Sequence, residues 1–207
     1  MRVRRLLQLQ AGLVLYGLSL ALMLRSELGL APWDVLHQGL ARRTGLSIGT
    51  VVILVGALVL LAWIPLRQRP GIGTLSNVFI VGLALDAGLT IVPQTHGWGT
   101  RVGLLVAGIV LNGLGGGAYI GARLGPGPRD GLMTGLSAQT GRSLRSVRTG
   151  IEITVLLTGV ALGGTAGVGT VLYAVLIGPQ VQLWLAVLTV PERPGAGPHA
   201  RLPASDP

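Results

Sequence analysis

Hydrophobic residues along this chain gather into six long runs: Leu7–Leu24, Ile48–Leu66, Ile72–Val92, Val102–Ala122, Val147–Leu162 and Val168–Val190. A helix that crosses the hydrocarbon core of a bilayer needs about 20 mainly apolar residues. The pattern therefore predicts an all-α polytopic membrane protein with six transmembrane helices. The fifth run is the least apolar, because Glu152 lies inside it. Residues 1–190 read as a single membrane domain. The stretch 191–207, rich in Pro and Gly, reads as a disordered cytoplasmic tail.

The polar stretches between the runs carry a second pattern. A shift of 96 residues aligns the two halves without a gap: Leu28, Gly29, Pro32, Asp34, Leu36, Gly39, Leu40, Thr44, Gly45 and Ser47 match Leu124, Gly125, Pro128, Asp130, Leu132, Gly135, Leu136, Thr140, Gly141 and Ser143. The same shift puts Gly71–Thr74 (GIGT) on Gly167–Thr170 (GVGT), Gly17-Leu18 on Gly113-Leu114, and Gly82 on Gly178. One offset across separate blocks is the mark of an internal duplication. The first run has a partner in the fourth, so it belongs to the fold although its basic start and apolar core also fit a signal peptide. Each copy, about 7–92 and 102–190, holds three spans. Three is odd, so the second copy must enter the membrane from the opposite face, which predicts two inverted three-helix repeats.

The block after each first span predicts a short helix. Pro32 and Pro128 suit a first helical position, where the missing N–H costs nothing. Asp34 and Asp130 then sit in the first turn, where a carboxylate meets the positive end of the helix dipole. Gly45 and Gly141 suit the C-terminal stop, and Ser47 and Ser143 suit N-caps of the next helix. Some ten residues are too few to cross a bilayer, so this helix lies in the interface or re-enters the membrane. Asp34 and Asp130 have two readings: they stabilise helix starts, or they form symmetry-related gating or ligand positions. Gly71, Gly73 and Thr74, with Gly167, Gly169 and Thr170, likewise read as a tight loop and helix start or as backbone lining a pathway.

Composition narrows the choice. Mean hydropathy is +0.67, and 34 of the 207 residues are Gly, which in lipid lets helices approach closely. Small residues spaced by four recur at Gly113, Gly117 and Gly121 and at Gly159, Gly163 and Gly167. The absence of Cys excludes disulfides and thiolate metal sites. The formal charge of +9 comes from Arg in short loops, which argues against a nucleic-acid surface. With a cytoplasmic N-terminus, twelve Arg fall on the cytoplasmic side and Arg25, Arg42, Arg43 and Arg101 outside. That bias predicts a multi-pass protein of a bacterial plasma membrane with both termini cytoplasmic.

Acidic groups inside apolar segments are costly and tend to face a cavity or a partner. Glu152 has Arg148 one turn away. Asp86 has no basic neighbour in sequence and is either an ion- or proton-linked group or part of a buried structural pair. The offset matches Asp86 with Gln182 and Glu152 with Gly56, so these charges are not duplicated. The G-x-S-x-G pattern at Gly45–Gly49 lacks the context of a hydrolase elbow. No metal-ligand spacing, phosphate loop or catalytic set is present, so neither a cofactor, a metal nor an enzymatic role is expected.

The blocks GLAPWDVLHQGLARRTGLSIGT and GIGTLSNVFIVGLALD resemble the YczE/YyaS/YitT group of bacterial integral membrane proteins, YczE-like members above all. The resemblance covers roughly residues 10–185. It implies a multi-pass membrane protein and carries no settled activity. Three functions fit: a small permease or secondary transporter of an unknown small molecule or ion, an accessory or substrate-binding subunit working with a partner or a second copy, and a channel.

Overall fold

The computed structural model describes residues 2–190, so the expected tail at 191–207 lies outside the described residues. Eight helices make up the fold: α1 (Arg2–Ser26), α2 (Pro32–Thr44), α3 (Ile48–Ala62), α4 (Ile72–Ile91), α5 (Trp98–Gly121), α6 (Pro128–Thr140), α7 (Leu144–Ala161) and α8 (Val168–Leu188). There is no strand among the described residues.

The local signals act as their chemistry dictates. Pro32 and Pro128 open α2 and α6, and both helices stop at glycines in the left-handed region, Gly45 (φ 74°) and Gly141 (φ 66°). The Ser47 and Ser143 hydroxyls accept from Thr50 N and Ser146 N at the starts of α3 and α7. The starts of α1 to α4 lie 96 residues before those of α5 to α8. Every positive-φ residue among those described belongs to a pair with that spacing: Glu27 and Arg123, Gly29 and Gly125, Gly45 and Gly141, Arg67 and Gly163. The duplication read in the sequence thus extends to individual backbone angles.

Helices α1 and α5 form the centre and run antiparallel. Gln8, near the start of α1, donates to the Ala118 carbonyl near the end of α5, whereas Arg101 near the start of α5 donates to the Ser26 carbonyl. The contact is reciprocal. An ideal Cβ on Gly12 would lie 2.7 Å from Tyr119 N, and one on Gly108 would lie 2.6 Å from Met23 Cγ. Gly12 and Gly108 are 96 apart, as are Met23 and Tyr119. Leu9, Leu13, Leu20 and Ala21 of α1 pack with Val81 and Leu85 of α4 and with Tyr119 and Ala122. Gly113, Gly117 and Gly121 seat α8 through Gln180, Trp184 and Leu188, the close packing their spacing predicted.

The linkers cross over between halves. Gly73 N donates to Leu124 O and Gly169 N to Leu28 O, each at 2.8 Å. Gly29 (φ 120°) and Gly125 (φ 128°) take a conformation that L side chains rarely adopt, and an added Cβ would strike Thr170 Oγ1 or Thr74 Oγ1 at 2.8 and 2.9 Å.

Leu54, Leu58, Leu61, Phe79, Leu83, Val106, Val171, Val175 and Val187 are exposed on the outside, an apolar surface fit for lipid. Four helices, α1, α4, α5 and α8, are long and apolar enough to cross a membrane, and α2 with α3 makes a fifth if that pair, bent by 114°, is one span. Six were expected. The difference lies in the second span of each copy. Helix α3 stops at Ala62, before Pro65, and its 15 residues reach only about 22 Å at 1.5 Å per residue. Helix α7 carries Arg145, Arg148 and Glu152 within 18 residues.

Candidate functional site

The short helices converge. The first turns of α2 and α6 bring Trp33, Arg129 and Asp130 beside Tyr16 of α1 and Tyr119 of α5, around a cavity of about 90 Å³, with Asp34 against Arg129 behind it. Val52, Val55, Val59, Val78 and Val81 supply its apolar wall, and Asn77 and His37 add polar groups. Its depth follows from the neighbours: Tyr16 stands well inside α1. The other end of α2 turns away, where Arg42 donates to the Gly163 carbonyl and, at 3.4 Å, to Thr165 Oγ1 in the linker before α8.

Asp34 is buried, at 4% exposure. Its Oδ1 contacts His37 Nδ1 at 3.1 Å and accepts from Arg129 Nη2 at 3.4 Å, while its Oδ2 and the Trp33 Nε1 have no hydrogen-bond partner among the described residues. The Arg129 guanidinium stands 5.0 Å over the Trp33 ring, within range of a cation–π attraction. Trp33 and Arg129 occupy equivalent positions in the two copies, so the residues that differ between the repeats touch each other where the halves meet. Asp130 is exposed, and its Oδ2 accepts from the Tyr119 hydroxyl at 3.2 Å. The Tyr119 ring meets Tyr16 edge-on at 6.0 Å.

The sequence-derived residues divide. Asp130 lines the cavity, and Asp34 is buried behind it against Arg129 and His37, each in the first turn of the helix opened by Pro128 or Pro32. Asp86 is elsewhere: its carboxylate accepts from Ser47 Oγ at 2.6 Å and Gly49 N at 2.8 Å, anchoring the start of α3. Glu152 accepts from Arg148 Nε at 2.9 Å on α7. The Thr74 and Thr170 hydroxyls accept from Gly71 N and Gly167 N, and Thr74 donates to Pro126 O at 2.7 Å, so the GIGT and GVGT blocks tie linkers together. Among the described residues no group of three or more His, Cys, Asp or Glu is arranged to hold a metal ion.

Sequence reasoning missed Arg129, treated as a loop cation, together with Tyr119, His37 and Trp63. The available signal was the Trp33-to-Arg129 exchange, the point where a strong repeat departs from itself beside an acid.

The two sides of the site are unequal. On one, Gly159 lets α7 lie directly on α2: an ideal Cβ there would be 2.5 Å from Leu36 N. On the other, the equivalent residue is Trp63, 1% exposed, whose ring fills the space beside Gly131 and whose Nε1 donates to Pro128 O at 3.0 Å. An open groove of about 710 Å³ runs between α6 and α7, from Thr140 and Arg142 past Ser146, Gly150 and Thr154 to Trp33. Trp33 borders both the groove and the cavity.

Residues 3–186 match the family of unknown function DUF6198. A Haemophilus influenzae protein described as uncharacterized is 40% identical over 176 residues, covering 85% of this chain and 81% of its own length. The uncharacterized membrane protein YczE of Bacillus subtilis is 36% identical over 170 residues, 81% of this chain and 79% of that protein. The uncharacterized protein YyaS of Bacillus subtilis is 27% identical over 181 residues, 86% and 90% of the two chains. No solved structure matches the chain.

Proposed function

We propose that this chain, which belongs to the DUF6198 family, is a small secondary transporter that carries its substrate through the cavity between α2 and α6. In this reading α1, α3 and α4 are the spans of one repeat, α5, α7 and α8 those of an inverted second repeat, and α2 and α6 are re-entrant half-helices. Reciprocal contacts are what a two-fold axis produces. They are seen between α1 and α5 and between the linkers, where Gly73 meets Leu124 and Gly169 meets Leu28. Because α1 and α5 run antiparallel, an axis relating them would lie in the membrane plane. Discontinuous helices whose starts face a site near the midplane are a recurrent transporter device. The distribution of Arg favours a plasma membrane orientation with both termini cytoplasmic.

The observation that carries the reading is the inequality of the two sides around one polar cavity. Gly159 seals α7 to α2, whereas Trp63 stands between α3 and α6 and an open groove ends at Trp33. An exchange of these arrangements would open the cavity to the other face.

The chain has no Cys, so single-cysteine reporters need no background removal. Thr154→Cys in the groove is expected to react quickly with an impermeant maleimide from one membrane face only. Asn77→Cys in the cavity is expected to react slowly from either face. Purified protein in proteoliposomes is expected to show saturable uptake of at least one solute from a broad panel. Background uptake throughout, with folded protein confirmed, would sink the transport reading. A second reading, a subunit of a larger membrane complex, draws on α8, which packs mainly on α5 and leaves Val171, Val175, Leu183 and Val187 outward. Co-purification of a stoichiometric partner would favour it.

A further inference from the structure

The cavity has a charge pattern that selects among ligand classes. Its wall presents one cation and one anion side by side at the start of α6, Arg129 and Asp130. Arg129 has a single hydrogen bond among the described residues, through Nη2 to Asp34, and its side chain keeps 26% exposure. The rest of the guanidinium fork is free to grip a carboxylate, the geometry for which Arg is suited. The first turns of α2 and α6 both border the space, and helix starts favour negative charge. Asp130 has no ion pair with a described basic residue; the Tyr119 hydroxyl and the Gly127 backbone N–H donate to it. Its carboxylate is the counter-charge for an ammonium, with the rings of Tyr16, Trp33 and Tyr119 on the same wall to supply cation–π faces. An anion alone would leave Asp130 without a counter-charge, and a cation alone would leave the free N–H groups of Arg129 without an acceptor, although Asp34 balances its charge.

We propose that the cavity binds a small zwitterion, an α-amino acid with little or no side chain, with its carboxylate on Arg129 and its ammonium on Asp130. This rests on the transport reading only in that the bound molecule would be the cargo. Size sets the limit. A cavity of about 150 Å³ takes benzene, so one of about 90 Å³ scales to roughly four non-hydrogen atoms. Glycine, the smallest α-amino acid, sits at that limit, and the valine wall leaves no room for a longer side chain.

The test is equilibrium binding of radiolabelled glycine to the purified full chain in detergent, with methylammonium and acetate as competitors. Each competitor retains one of the two charged contacts. Glycine is expected to bind saturably, and each half-molecule to compete at least about tenfold more weakly, the size of one lost charge-assisted contact. Arg129→Gln and Asp130→Asn should each abolish that binding. If either fails to fold, Arg129→Lys and Asp130→Glu keep the charge and should weaken binding while preserving the order of the competitors. The wild-type competition order needs no variant at all. Absence of glycine binding, or methylammonium or acetate competing as well as glycine, overturns the inference. Binding without uptake in proteoliposomes would leave the site standing and remove the transport reading. Uptake of another solute by protein that binds no glycine would do the reverse.

Discussion

Gly159→Ala isolates the contact that seals one side of the site. An ideal Cβ at Gly159 falls 2.5 Å from Leu36 N and 2.6 Å from Val35 C, both backbone atoms of α2. Ordinary contact begins at 3.4 Å, so α2 and α7 must separate by about 0.9 Å. Overpacking of this kind costs about 1–3 kcal/mol, against the roughly 0.5–1 kcal/mol that Ala gains over Gly inside a helix. The expected net effect is a loss of about 1–2 kcal/mol. Gly150 on the same helix is the matched control, because a Cβ there has no atom within 4 Å. Gly150→Ala should therefore keep only the propensity gain of about 0.5–1 kcal/mol. Equilibrium unfolding in mixed micelles, followed by far-ultraviolet circular dichroism, compares the two under one condition. The same pair in a Thr154→Cys background reports whether loosening the seal changes groove labelling. If Gly159→Ala proves as stable as Gly150→Ala, the direct packing of α7 on α2 is refuted, and with it the structural difference between the two sides.

Asp86→Ala removes two charge-assisted bonds at the start of α3, from Ser47 Oγ and Gly49 N, and should lower stability by about 2 kcal/mol or more, read in the same unfolding assay. Trp63→Phe keeps most of the wedge but loses the bond to Pro128 O, a cost of about 1 kcal/mol, whereas Trp63→Ala should cost about 3–5 kcal/mol. Asp34→Asn should reduce the yield of folded protein, because Asp34 is buried against Arg129 and His37. Asp130→Asn, at an exposed position, should leave the yield intact and change ligand binding. Equal loss of folded protein in both would mean that the two acids merely stabilise helix starts.

Much of the fold was legible because it rests on local chemistry. Pro32, Gly45 and Ser47 fix a helix start, a helix stop and the next helix start with rules that reach only a few residues, and their copies at Pro128, Gly141 and Ser143 do the same. The second spans were harder to read. Ile48–Leu66 is apolar throughout, yet α3 ends at Ala62, since hydropathy does not register the turn around Pro65. The site was half legible. Asp34 and Asp130 stood out as acids in a hydrophobic chain, but Arg129 resembled any loop arginine until α2 and α6 met. Asp86 stood open between an ion-linked group and a structural role for the same reason: its partners, the Ser47 hydroxyl and the Gly49 amide, are dozens of residues away and neither is basic.

A duplicated backbone by itself would give two arrangements of equal energy, one the mirror of the other in connectivity. The side chains that break the duplication are what remove that equality. Gly49 and Asp86 zip α3 to α4, since a Cβ on Gly82 would lie 2.5 Å from Gly49 O. Their counterparts are Arg145 and Gln182, and Gly178, the counterpart of Gly82, has nothing within 4 Å. On the facing pair, Gly159 admits close contact where Trp63 denies it. Both departures push the same way, toward α3 on α4 and α7 on α2. Under the transport reading the alternative arrangement must still be reachable, which limits the bias to a few kcal/mol. The bond of Trp63 to Pro128, about 1 kcal/mol, and the grip of Asp86 on α3, about 2 kcal/mol, fall within that limit, so under this reading each would bias which face rests open without locking it.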